Sequence, residues 1–155
     1  MNSEVLLDYL RAQQVAPQWL GFLRALSTEL AAQADAPALR TLFHSIGARL
    51  AADARANLPE VDSLDGLQQT LSTYWAGIQW GWVELAEQQG FVEVIHHLAP
   101  LEQAFSEAAL DWSVGLLEGF YQTMFEALGA DPTLQLRHLP TPDDAWSLHF
   151  RFGRS

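Results

Sequence analysis

The stretch Ile78-Gln79-Trp80-Gly81-Trp82-Val83-Glu84-Leu85-Ala86-Glu87-Gln88-Gln89-Gly90-Phe91-Val92-Glu93-Val94-Ile95-His96-His97 decides the class of fold. At Trp80 the apolar period changes from 3.6 to 2, so side chains that had followed one face of a helix begin to alternate across a strand. Val83 and Leu85 alternate with Trp82, Glu84 and Ala86; past Glu87-Gln88-Gln89-Gly90, Val92 and Val94 alternate with Phe91, Glu93 and Ile95. That pattern is a β-hairpin. With a four-residue loop, Leu85 faces Val92 and Val83 faces Val94 on one side, while Trp82 faces Ile95 and Ala86 faces Phe91 on the other. Both faces are then largely apolar. The helices of the chain can cover one; the second, with Trp80, Trp82, Phe91 and Ile95, calls for another helix or a second copy of the chain. The same register sets Glu84 against Glu93, an unfavourable like-charge pair unless both reach water or a donor.

Upstream of the hairpin the chain reads as helices. After a short opening segment with Val5, Leu6, Tyr9 and Leu10, Pro17 suits a first helical turn, and Trp19, Phe22, Leu23, Leu26 and Leu30 follow at three- and four-residue steps. Asp35 and Pro37 restart the pattern, which runs through Leu39, Leu42, Phe43, Ile46 and Leu50, so two amphipathic helices form a hairpin. Pro59 breaks the chain, and Asp62 or Ser63 can cap a third helix carrying Leu64, Leu67, Leu71, Trp75 and Ile78.

Downstream, a long helix is expected from Glu102 or Glu107 to Leu128, closed by Gly129 and Pro132. Leu110, Trp112, Leu116, Leu117, Phe120, Tyr121, Met124 and Phe125 wrap it almost completely, so it is the central helix. Gly115 and Gly119 lie one turn apart and let another backbone approach, either a neighbouring element or a second copy. The chain closes with a second hairpin: Leu134, Leu136 and His138, a turn from Pro140 to Asp144, then Trp146, Leu148, Phe150 and Phe152 alternating with Ser147, His149 and Arg151. The expectation is one α+β domain whose antiparallel sheet has about four strands.

Composition narrows the function classes. The 155 residues carry 19 acids against 8 bases, all Arg, for a formal charge of −11. A general nucleic-acid binder needs cations to displace counterions, so that class is excluded, as is adhesion to anionic lipid. The charge is uneven: Ala56 to Leu136 holds twelve acids and no Lys or Arg. Those carboxylates face solvent, pair with Arg from the flanking segments, or meet a partner. With no cysteine there is no disulfide, thiolate nucleophile or Cys-based metal site. No apolar run is long enough to insert in a membrane. Glu4 and Asp8 stand where a secretory signal would be basic, which points to the cytoplasm.

Recognisable catalytic constellations are missing: there is no phosphate-binding glycine loop, nucleophile elbow or His pair at metal-ligand helical spacing. His96 and His97 point to opposite faces of a strand and do not chelate one metal together. No cofactor or metal is expected.

A resemblance then becomes usable. Ile78-Gln79-Trp80-Gly81-Trp82-Val83-Glu84-Leu85 resembles the I-x-W-G-x-V-x-L helix-to-strand junction in the family of bacterial cellulose synthase D subunits. Trp112 to Tyr121, ending Leu117-Glu118-Gly119-Phe120-Tyr121, is similar to that family's W-x(4)-[VL]-L-E-G-[LF]-Y segment. Phe22-Leu23, Leu26-Ser27, Glu29-Leu30 and Gly47-Ala48-Arg49 add support, and together the matches span roughly Trp19 to Ala130. The resemblance implies a non-catalytic accessory protein: α+β subunits that pair into dimers and build a ring-like octamer whose passages guide nascent β-1,4-glucan. Such proteins affect cellulose yield and crystallinity rather than glycosyl transfer. Implied partners are further copies of the chain, other synthase subunits and the glucan itself. The family has been described as periplasmic; the acidic N-terminus favours the cytoplasmic side, near the synthase.

Site expectations follow. Trp80, Trp82, Phe91, Ile95, Trp112, Gly115, Gly119, Phe120 and Tyr121 serve the oligomer interface or the core, and the carboxylates of Glu84 and Glu93 are candidate acceptors for glucan hydroxyls. Two other classes fit the residues alone: an acidic dimeric secretion chaperone holding an effector segment, and a small-molecule sensor with an enclosed apolar pocket.

Overall fold

Three local signals start the helices, and each is visible in the computed structural model, which describes residues 3–140 and 146–154. Pro17 opens α2 (Pro17–Gln33) at its first turn. Asp35 caps α3 (Ala36–Arg55), its carboxylate accepting from the Ala38 N–H at 2.9 Å. Ser63, rather than Asp62, caps α4 (Leu64–Gly77) through the Gly66 N–H at 3.0 Å. The opening segment is itself a helix, α1 (Ser3–Ala12), with no buried residue.

Two antiparallel hairpins, β1 (Trp82–Gln88) with β2 (Phe91–His97) and β3 (Gln135–Leu139) with β4 (Ser147–Gly153), join into one sheet of order β1-β2-β4-β3. The register of the first hairpin differs by two residues from the sequence expectation. Gly90, at φ +88°, supplies the left-handed conformation of a two-residue Gln89-Gly90 turn, so the strands extend through Gln88 and Phe91. Leu85 therefore faces Val94 and Val83 faces His96. The clash expected between Glu84 and Glu93 does not arise: Glu84 lies opposite Ile95, and Glu93 sits between Ala86 and Arg151. A shift of two preserves the faces, so the inward set stays inward. The turn expected at Pro140 to Asp144 lies, beyond Pro140, outside the described residues.

Of the two starts expected for the long helix, the chain resumes helical geometry at Glu107, and the segment from Glu102 is a separate piece. The region divides into α5 (Leu101–Phe105), a 3-10 turn (Glu107–Ala109), α6 (Leu110–Ser113) and α7 (Gly115–Ala127). Ser106, at φ +99°, takes the chain out of helical geometry between the first two pieces. Only α7 is the central helix, and it is buried nearly throughout, Leu117, Phe120 and Tyr121 completely. It lies under the sheet, with Phe125 stacked on Phe152 at 4.6 Å and Tyr121 against Phe150 at 6.2 Å.

The anticipated α2–α3 hairpin keeps its tight connection, but α2 leans mainly on α5, and Arg24 Nε donates to the Gln103 carbonyl at 3.1 Å. α3 packs instead along α7. That contact is a glycine seam. A Cβ on Gly47 would overlap the Leu116 carbonyl, and one on Gly119 would overlap the His44 carbonyl, so the two backbones touch. Beside the seam, the buried Glu118 accepts from Arg40 Nε at 2.8 Å and from the His138 N–H at 3.1 Å, tying α3, α7 and β3 together.

Both outer strands are closed by helix side chains. On β1, Ser72 Oγ donates to the Val83 carbonyl at 2.9 Å and accepts from the Val83 N–H at 3.1 Å, while Gln68 Oε1 accepts from the Leu85 N–H at 2.8 Å. On β3, Gln122 accepts from the Leu136 N–H at 2.8 Å and donates to the Leu134 carbonyl at 2.9 Å. Part of the backbone that would template another strand is thereby occupied.

Candidate functional site

Two surfaces combine chemistry with access. The first is the outer row of the sheet where Trp82, His97 and Ser147 stand side by side on β1, β2 and β4. His97 is fixed at both ring nitrogens: Nδ1 meets Ser147 Oγ at 2.5 Å, and Nε2 meets Glu84 Oε2 at 2.7 Å. Its ring backs the Trp82 indole at 4.9 Å with 32° between planes. Trp82 itself is 46% exposed and borders an open groove along α4.

The second surface is apolar. Val5, Leu6, Tyr9 and Leu10 lie on one side of α1 and are exposed, as are Trp19, Phe22 and Leu26 on α2 and Leu42 and Ile46 on α3. Polar contacts hold α1 to the body: Arg11 pairs with Glu102 at 3.1 Å and covers the Trp146 ring at 4.3 Å, and Gln14 Nε2 donates to the Leu98 carbonyl at 2.6 Å. Its apolar side therefore faces outward. Periodicity in α2 forecasts a core-facing stripe; the structure buries only Ser27 of that helix.

The structure separates the residues singled out from sequence. Trp112, Gly115, Gly119, Phe120 and Tyr121 lie inside the fold. Trp80 is not on the outer sheet face. Gln79 and Gly81, at φ +60° and +77°, turn the chain so that Trp80 stacks on the buried Trp75 at 5.5 Å. Phe91 and Ile95 are half-buried on the outer face, Phe91 beneath the Arg151 guanidinium at 4.7 Å. Glu84 is exposed and held by His97, whereas Glu93 is half-buried opposite Arg151. Glu84 and Glu93 thus do not form one carboxylate pair.

The inner histidine has the structural role expected of it at the strand end, but its partners are not legible in the sequence. His96 is fully buried; its Nε2 donates to the Trp80 carbonyl at 2.7 Å, and its Nδ1 accepts from the Tyr121 hydroxyl at 2.6 Å. Burial pushes its pKa down to about 4 and pushes the Tyr121 phenol well above its ordinary value. Among the described residues, no group of three or more His, Asp or Glu side chains is arranged to hold a metal. No helix among them is long and apolar enough to cross a membrane.

The family model for the D subunit of cellulose synthase matches residues 5–151. The chain belongs to the cellulose synthase D-subunit family. No curated protein matches it. In this member of the D-subunit family the two stretches that carry the resemblance mainly shape the fold. Ile78 to Leu85 forms the α4–β1 junction, and Leu117 to Tyr121 places Glu118 and Gly119 against α3. Exposed chemistry lies on Trp82 and Glu84, the outward-facing residues of the first stretch, and on the outward sides of α1 to α3. As a cellulose synthase D-subunit protein, the chain has an accessory role in cellulose synthesis.

Proposed function

We propose that this protein is non-catalytic and works as a ring-like homo-oligomer, a tetramer of dimers, that guides nascent β-1,4-glucan for export and crystallisation. The observation that carries the reading is the exposed apolar surface of three successive helices. Leaving Phe22 at 58% and Tyr9 at 62% exposure in a lone copy is costly, and a second copy covering them relieves it. Closed sheet edges favour the same conclusion, because association through strands is blocked along Val83–Leu85 and Leu134–Leu136. Those copies carry −11 each, so they meet through aromatic and aliphatic side chains and leave most carboxylates to water or to a neutral polymer.

Native mass tests the assembly: the expected value is eight times the 17.3 kDa chain. Phe22→Ser should lower it while the helical circular dichroism persists. A monomer at micromolar concentration would overturn the ring. Absence of catalysis is tested on cello-oligosaccharides; product release above buffer controls, abolished by a single Glu substitution, would refute it.

A further inference from the structure

The groove beside Trp82 is lined along one wall by Asp65, Gln69, Thr73 and Ala76, at successive turns of α4, and has a volume of about 610 Å³. From Asp65 to Ala76 the helical rise makes that wall roughly 16 Å long. All four are exposed. Gln68 and Ser72, the other polar groups at this wall, are committed to the β1 edge, so the side chains left to meet a ligand here are Asp65, Gln69 and Thr73. Thr73 Oγ1 donates to the Gln69 carbonyl at 3.0 Å and keeps its lone pairs as acceptors.

Trp82 is the unusual member. Almost half exposed, its indole is backed by His97, which Ser147 and Glu84 lock in orientation. A flat apolar surface is thus held ready beside a row of amide, hydroxyl and carboxylate groups. The chemistry that such a pair recognises is a polyhydroxyl ring: its C–H face stacks on the indole and its rim of hydroxyls meets donors and acceptors. None of the lining residues is cationic, which disfavours an anionic polymer. An open groove also suits a chain passing along it better than an enclosed small ligand.

We propose that the Trp82 groove binds one β-1,4-glucan chain, with Trp82 as the platform for a sugar ring, Asp65, Gln69 and Thr73 as hydroxyl partners, and His97 as the positioning residue that keeps the platform in place. The choice of glucan rests on the accessory role proposed above; the choice of a neutral polysaccharide rests on the groove itself.

The experiment titrates the purified full chain calorimetrically with cellohexaose and, separately, maltohexaose. Cellohexaose should bind and maltohexaose bind more weakly. Trp82→Ala should weaken cellohexaose about tenfold or more, and Trp82→Phe should recover part of the loss. His97→Ala should weaken it several-fold and lower the fluorescence anisotropy contributed by Trp82, measured by difference against Trp82→Phe. Should Trp82→Ala fail to fold, Gln69→Arg blocks the exposed wall of α4 and should cause the same loss. Wild-type protein that fails to bind cellohexaose at millimolar concentration, equal binding by Trp82→Ala or Gln69→Arg, or equal affinity for maltohexaose overturns the proposal. Cellulose yield from a strain deleted for this protein judges the accessory role separately. Binding without a yield defect refutes the role and keeps the groove; a yield defect without binding does the reverse.

Discussion

Acidifying the protein should unfold it through His96 before most carboxylates titrate. The imidazole is fully buried and satisfied only when neutral, because the Trp80 carbonyl can only accept and the Tyr121 hydroxyl already donates to Nδ1. A second proton at Nδ1 would face the Tyr121 hydroxyl donor to donor and place a charge beside Trp75 at 4.9 Å, in the core. Folding thus holds the pKa at about 4, against about 6.5 in an unfolded chain. The sign follows: well above pH 6.5 neither state is protonated and stability is intact, and as pH falls through 6.5 the unfolded state takes up a proton that the folded state refuses until about pH 4. That gap corresponds to about 3 kcal/mol in full, most of which is lost by pH 4.5. Urea unfolding at pH 7.5, 6.5, 5.5 and 4.5, at one fixed protein concentration, measures it for the wild type and for His96→Gln. Subtracting the variant removes carboxylate titration common to both, and the half-buried His138, whose pKa burial also lowers. A wild-type minus variant difference that stays constant from pH 7.5 to 4.5 would refute this account of the core.

Three further outcomes are expected. Gly119→Leu should force α3 off α7 at His44 and cost about 3 kcal/mol or more, enough to lower the melting temperature by many degrees; an unchanged melting temperature and unchanged native mass would contradict the glycine seam. Glu118→Ala should cost about 2–3 kcal/mol by stranding the His138 N–H and releasing Arg40, and a double-mutant cycle with Arg40→Ala should show coupling; additive losses would argue against the pair. Replacing both Gln68 and Ser72 by Ala should speed hydrogen exchange at the Val83 and Leu85 amides far more than at Val94, and equal changes would mean that the side chains do not guard the edge.

How much of this is legible in the sequence depends on which physical signal each feature leaves. Hairpins and helices are readable because apolar spacing differs between them, and Pro17, Asp35 and Ser63 mark helix starts directly. Register is not, since the face pattern is unchanged by a shift of two and only the conformation of Gly90 distinguishes a two-residue turn from a four-residue one. The break at Ser106 is left undecided between starts at Glu102 and Glu107, because the flanking apolar residues keep a helical rhythm through it. Trp19, Phe22 and Leu26 repeat as a core stripe would; periodicity reports that a face is to be covered and is silent on what covers it. Glu118 is embedded in an apolar run, and nothing in its neighbours announces Arg40, 78 residues away. Of the candidate site, Trp80 and Trp82 stand out together in the sequence, and only the left-handed turn at Gln79 and Gly81 sends Trp80 inward while Trp82 stays at the surface.

The side chains on the rims of the sheet have a consequence for how this protein can change over generations. With the Val83 and Leu85 amides engaged by α4 and the Leu136 amide by α7, these stretches of the sheet edges are withheld from recognition, and contact there has to be written in side chains. Side-chain contacts are altered one codon at a time, at exposed positions on α1, α2 and α4 that carry little of the fold's stability. A lineage can therefore retune which surfaces the protein meets while its sheet, its glycine seam and its buried histidine stay as they are.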